Sequence, residues 1–201
     1  MLTKIYETGE QFTRRQALVS YHDSFVSLLA DMDPVIIYII GVSGSGKTTV
    51  GKKLSARTGI PFFDGDDFHP LSNKEKMKAG QALNDQDRAE WLTSINELAK
   101  VEMKKAGAII ACSALKEKYR TALSAGITVP LVWIFLKGSY ELIQQRMKAR
   151  KDHFMPPGLL FSQFEILEIP HQAVTIDISN GPDRIADLIM SELRSKNNAG
   201  L

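Results

Sequence analysis

The chain has 201 residues, 44% hydrophobic and 24% charged, which suits one domain that buries a full core without disulfides or metals. Its 25 basic and 23 acidic residues leave a net charge of +2, so the overall field gives no reason to expect nucleic acid or an anionic membrane as partner. No apolar run approaches the roughly 18 residues of a membrane span, the single Cys112 excludes an intrachain disulfide, and Met1 to Glu10 lack a secretory apolar stretch, so the cytoplasm is the expected location.

In chain order, residues 1–34 read as a helical N-terminal extension, from the spacing of Leu18, Phe25, Val26, Leu28 and Leu29. With Arg14 and Arg15 it is either an accessory helix or an amphipathic targeting helix, and Met32 is an alternative start. Val35–Ile40 is a β-branched run without polar alternation, the pattern of a parallel strand buried on both faces. From Lys47 a helix is expected to stop at Gly59, and Ile60–Phe63 reads as a second strand. Residues 64–85 are polar, with a short helix over Lys74–Lys78. Trp91, Leu92, Ile95, Leu98 and Ala99 recur at helical spacing, followed by a strand at Ala108–Cys112 and a helix over Leu115–Leu123. Val129–Leu136 reads as a strand, Ser139–Arg150 as a charged helix, Leu159–Leu167 as a helix beyond Pro156-Pro157, Ala173–Ile178 as the last strand, and Pro182 opens the last helix. Five strand–helix alternations predict a three-layer α/β/α domain over residues 35–201, a five-stranded parallel sheet covered on both faces, with a small helical lid at about 140–168.

Residues 41–48, Gly-Val-Ser-Gly-Ser-Gly-Lys-Thr, match the G-x-x-x-x-G-K-[ST] phosphate loop, between an apolar strand and a helix. Gly41, Gly44 and Gly46 let backbone amides turn toward phosphate oxygens, with Ser43, Ser45 and Thr49 in the same wrap. Lys47 is expected on the β- and γ-phosphates of a nucleoside triphosphate and Thr48 on Mg²⁺. Asp64-Gly-Asp-Asp67 follows the second strand; three acids so close call for a cation, which makes Asp64 a candidate beside Mg²⁺ and Asp66 the acceptor of a substrate hydroxyl proton, against the alternative of a surface turn. The strand ending at Cys112 carries no acid, unlike the Walker B arrangement, which shifts metal support to Asp64 and Asp66. Asp85 or Asp87 is expected to cap the next helix, Arg88 to pair with an anion or internally, and Ser113, Lys116, Tyr119 and Arg120 to reach the same cleft. Arg146 and Arg150, four apart, are either a solvated face or lid arginines that close on the transferring phosphoryl group; His153 and Gln163 are candidate lid contacts to substrate. Cys112 reads as a core residue.

The chain resembles the gluconokinases, within the shikimate-kinase-like and nucleoside-monophosphate-kinase-like P-loop enzymes. The likeness lies in residues 41–48 and 64–70, Asn73 with Lys76-Met77, residues 83–88 with Trp91-Leu92, residues 111–116 with Tyr119-Arg120, His153-Phe154, and residues 162–164 with Leu167-Glu168. It implies transfer of the ATP γ-phosphate to the 6-hydroxyl of D-gluconate, with Mg²⁺, usually as a homodimer, on a five-stranded parallel sheet with the P-loop strand central. A gluconate carboxylate needs cations, for which Arg88, Arg120, Lys116 and His69 are the candidates. The rivals are a kinase of a related polyol acid such as shikimate, and a P-loop nucleotide switch without acceptor.

Overall fold

The computed structural model describes residues 34–149 and 157–198. The expectations for residues 1–33, Arg150 and His153, and for the lid between them and Pro157, lie outside the described residues.

Strand β1 (Val35–Ile40) is buried at every position, as its unbroken apolar run requires. After the glycine loop comes α1 (Lys47–Thr58), closed by Gly59 in the left-handed conformation at φ 73°. Strand β2 (Phe62–Asp64) leads through a 3₁₀ turn (Gly65–Phe68) to α2 (Leu71–Lys78) and α3 (Asp85–Glu102). Then follow β3 (Gly107–Cys112), α4 (Glu117–Ser124), β4 (Leu131–Lys137), α5 (Tyr140–Lys148), α6 (Pro157–Glu165), β5 (Val174–Asp177) and α7 (Pro182–Asn198).

The five strands pair in parallel in the order β2-β3-β1-β4-β5, which puts β1 at the centre. On one face Ile36, Tyr38 and Ile40 join Trp91, Ile95, Ala99, Tyr119 and Leu123 of α3 and α4 in one core. On the other α1 and α7 pack together, with Val50, Leu54, Ile185 and Ile189 buried. No described helix is long and apolar enough to cross a membrane.

Element boundaries moved where side chains intervene. Helix α2 begins at Leu71 rather than Lys74, because the Pro70 carbonyl accepts the amides of Asn73 and Lys74. Helix α3 begins at Asp85, where Asn84 and Asp87 form a capping box: Asn84 Oδ1 accepts the Asp87 amide at 2.8 Å and Asp87 Oδ2 the Asn84 amide at 2.9 Å. Strand β2 ends on Asp64, which lies opposite Ala111 in the ladder.

Candidate active site

Where β1 ends, residues 41–46 wrap into the N-terminus of α1. Gly44 and Gly46 hold φ of 82° and 97°, and nothing lies within 4 Å of a Cβ built on Gly46, so an open concavity faces the positive end of the helix. The Lys47 ammonium donates to the carbonyls of Gly41 and Val42 at 3.1 and 3.0 Å. The Ser45 hydroxyl is fully buried and has no hydrogen-bond partner among the described residues. Thr48 and Thr49 are exposed in the first turn of α1.

Thr48 Oγ1 donates to Asp64 Oδ2 at 2.6 Å, and Asp64 Oδ1 accepts the Asp66 amide at 3.1 Å, capping the 3₁₀ turn. Sheet register explains the first contact: Ile39 of β1, Ala111 of β3 and Asp64 of β2 form one row across three strands. β3 carries no acid, yet one stands a strand further out. A hydroxyl and a carboxylate are hard oxygen donors that suit Mg²⁺. Among the described residues no group of three or more His, Cys, Asp or Glu could hold a metal ion.

The acidic turn is netted to its neighbours. The Trp91 indole donates to the Gly65 carbonyl at 2.7 Å, and the His69 ring stacks on Trp91 at 4.5 Å between centroids. Asn73 Nδ2 donates to the Asp87 carbonyl at 2.7 Å, and Lys76 pairs with the Asp87 carboxylate. Burial pushes the His69 pKa down to about 4, against the opposing Asp66 carboxylate 4.0 Å away. A ring shifted this way is uncharged at neutral pH. Asp66 itself is exposed, its side chain at 77%.

Arg88 and Lys116 lie on the Tyr119 ring at 5.6 and 5.7 Å from its centroid. Arg88 also donates to the Leu83 and Asn84 carbonyls. Hydrogen bonds from Lys118, Tyr119 and Lys116 hold the Asp85 carboxyl well below the usual carboxylate range. Arg120 is 4% exposed and spends its donors inside the protein, on the carbonyls of Ala114 and Leu115 at 3.0 and 3.3 Å and on Glu117 at 2.6 Å. Ala114 stands in the left-handed region at φ 39°, so the buried Arg120 secures a strained turn with its donors. The Ser113 carbonyl accepts the Gly41 amide at 3.3 Å, which sets that turn beside the phosphate loop. Cys112 is buried and its thiol is pushed up to about 12, as a core residue's is.

Arg146 of α5 donates to the Ile178 carbonyl just past β5. Gln163 of α6 meets the phosphate loop: Oε1 accepts the Ser43 amide at 2.7 Å and Nε2 donates to the Ser43 hydroxyl at 3.2 Å. Sequence reasoning missed this contact, across 120 residues, and nothing local signals it. The expected cap by Asp87 is present, but its partner Asn84 as the N-cap was missed, as was the Glu117–Arg120 pair, whose i,i+3 spacing marks it.

A family model of shikimate kinase matches residues 43–159. A relative from Dictyostelium discoideum named "Probable gluconokinase" is 44% identical over 80% of this chain and 86% of its own length. The "Thermosensitive gluconokinase" of Escherichia coli (strain K12) is 44% identical over 71% of this chain and 78% of its own length. Among solved structures, a gluconokinase from Sinorhizobium meliloti 1021 superposes with a TM-score of 0.70 at 38% identity, covering 77% of this chain and 89% of that one.

Proposed function

This chain belongs to the gluconokinase family, of the shikimate-kinase type, and from that premise we propose that it transfers the γ-phosphoryl group of ATP to the 6-hydroxyl of D-gluconate, releasing ADP and 6-phospho-D-gluconate. The single geometric observation that supports the reading best is the 2.6 Å link from Thr48 to Asp64, which joins the phosphate loop to the acidic turn where an acceptor would lie.

In this reading the amides of residues 44–49 and the Lys47 ammonium hold the triphosphate, and the N-terminus of α1 faces its charge. Thr48 and Asp64 would hold Mg²⁺, which would supply positive charge to the transferring phosphoryl group. Asp66 orients the 6-hydroxyl and takes its proton as the oxygen–phosphorus bond forms and the bond to the β-phosphate oxygen breaks. Arg88, Lys116 and Ser113 are the substrate contacts that remain available, with His69 as a neutral hydrogen-bonding ring. Arg146, to act on the transferring group, exchanges the Ile178 carbonyl for a phosphate oxygen; Arg150 and His153 are assigned to the same lid. Residues 35–201 form the kinase domain and residues 1–34 an extension. The enzyme works as a cytoplasmic homodimer.

A coupled ADP-release assay across gluconate, shikimate and nucleoside monophosphates tests this. Saturable turnover on gluconate alone is expected. Turnover on shikimate would replace the acceptor, and slow ADP release independent of every acceptor would favour a nucleotide switch.

A further inference from the structure

Two contacts, taken together, carry a role for α6 and the residues after it. Gln163 grips Ser43 with both ends of its carboxamide, accepting the backbone amide at 2.7 Å and donating to the hydroxyl at 3.2 Å. The carboxamide is therefore held in one orientation, since its oxygen and nitrogen do different work. Five residues on, the Glu168 amide donates to the Leu115 carbonyl at 2.9 Å, and Glu168 Oε2 accepts the Glu117 amide at 2.5 Å. Residues 163–168 thus touch the phosphate loop at one end and the strained turn after β3 at the other. Those two loops flank the proposed site, one on the phosphate side and one on the acceptor side, and the Gly41 amide joins them directly by donating to the Ser113 carbonyl at 3.3 Å.

We propose that Gln163 is a positioning residue for nucleotide: it acts through Ser43, setting the first half of the phosphate loop at a fixed distance from the turn at residues 113–117, and it does not bind the acceptor. A loop amide held from outside by a side chain keeps its neighbours, Gly44 and Ser45, in the wrap that a phosphate needs, so ordering is complete before nucleotide arrives. The part of the proposal that concerns the acceptor rests on the gluconokinase reading; the part that concerns nucleotide does not.

The test uses Gln163→Met, which keeps side-chain length without the two hydrogen bonds, with Ser43→Ala as a second variant that removes only the hydroxyl end. Dissociation constants for ADP and a non-hydrolysable ATP analogue are measured by calorimetry, and KM for ATP and for gluconate by ADP release. We expect nucleotide affinity of Gln163→Met to fall roughly three- to tenfold, the size of one or two neutral hydrogen bonds, with KM for gluconate within twofold of the wild type. Ser43→Ala should show part of that loss, and the double variant should be no weaker than Gln163→Met, because both changes break one contact. A raised KM for gluconate with unchanged nucleotide affinity would overturn the proposal, as would additive losses in the double variant. If the wild type proves inactive on gluconate, the calorimetric arm still decides the role of Gln163.

Discussion

The hydroxyl of Thr48, in the first turn of α1, donates to the carboxylate of Asp64, the last residue of β2, across 2.6 Å. Asp64→Asn keeps the shape but removes the charge that a cation needs. Its kcat/KM for gluconate should fall about 10²-fold or more, with half-saturating Mg²⁺ raised and thermal stability close to wild type. A metal titration of initial rates checks this, and an unchanged Mg²⁺ requirement would remove Asp64 from the site.

Asp66 sits beside it with an exposed side chain. Asp66→Asn should lower kcat by roughly 10²- to 10⁴-fold, the usual share of a positioned base, while ATP affinity holds. Single-turnover and binding measurements separate the two effects.

His69 makes stability pH-dependent in a defined window. Its pKa is about 4 in the folded protein, against 6.5 when unfolded. Below pH 6.5 the unfolded chain takes up a proton that the folded one refuses, so stability is complete above 6.5 and is lost as pH falls toward 4. The loss is at most about 3 kcal/mol. Urea unfolding at pH 7 and pH 5 should show it in the wild type and a shallower difference in His69→Gln.

Arg120 and Arg88 should separate by readout. Arg120→Met strands the buried carbonyls of Ala114 and Leu115, so it should cost about 2–4 kcal/mol and lower Tm by roughly 5–15 °C. Arg88→Lys should leave Tm nearly unchanged and raise KM for gluconate. Scanning calorimetry with steady-state kinetics on both variants would reverse these assignments if the effects were exchanged.

Gly107 opens β3 at φ 80°, where a Cβ would lie 2.1 Å from the Val35 carbonyl oxygen. Gly107→Ala should therefore destabilise by about 2–4 kcal/mol through backbone strain at the sheet centre. Chemical denaturation with an unchanged m-value is the check.

The central strand, the phosphate loop and the helix after it were legible because each rests on neighbours in the chain: an unbroken β-branched run at residues 35–40, glycines at fixed spacing, and a lysine and threonine at the helix start. The missing acid after Cys112 was legible as well, and it leaves Asp64 and Asp66 as the nearest acids in the pattern. The alternation of elements, the triphosphate loop and the acids available to it thus follow from local sequence alone.

The rest depended on contacts between distant residues. Sheet order β2-β3-β1 put Asp64 in one row with Ala111 and Ile39 and so within reach of Thr48. Burial beside Trp91 pushes the His69 pKa down, and the turn at Ala114 claimed Arg120 as an internal tie. Gln163 reached Ser43 only because α6 returns to the phosphate loop. Charge state and hydrogen-bond partner are properties of surroundings, and local spacing cannot specify surroundings assembled from residues 120 positions apart.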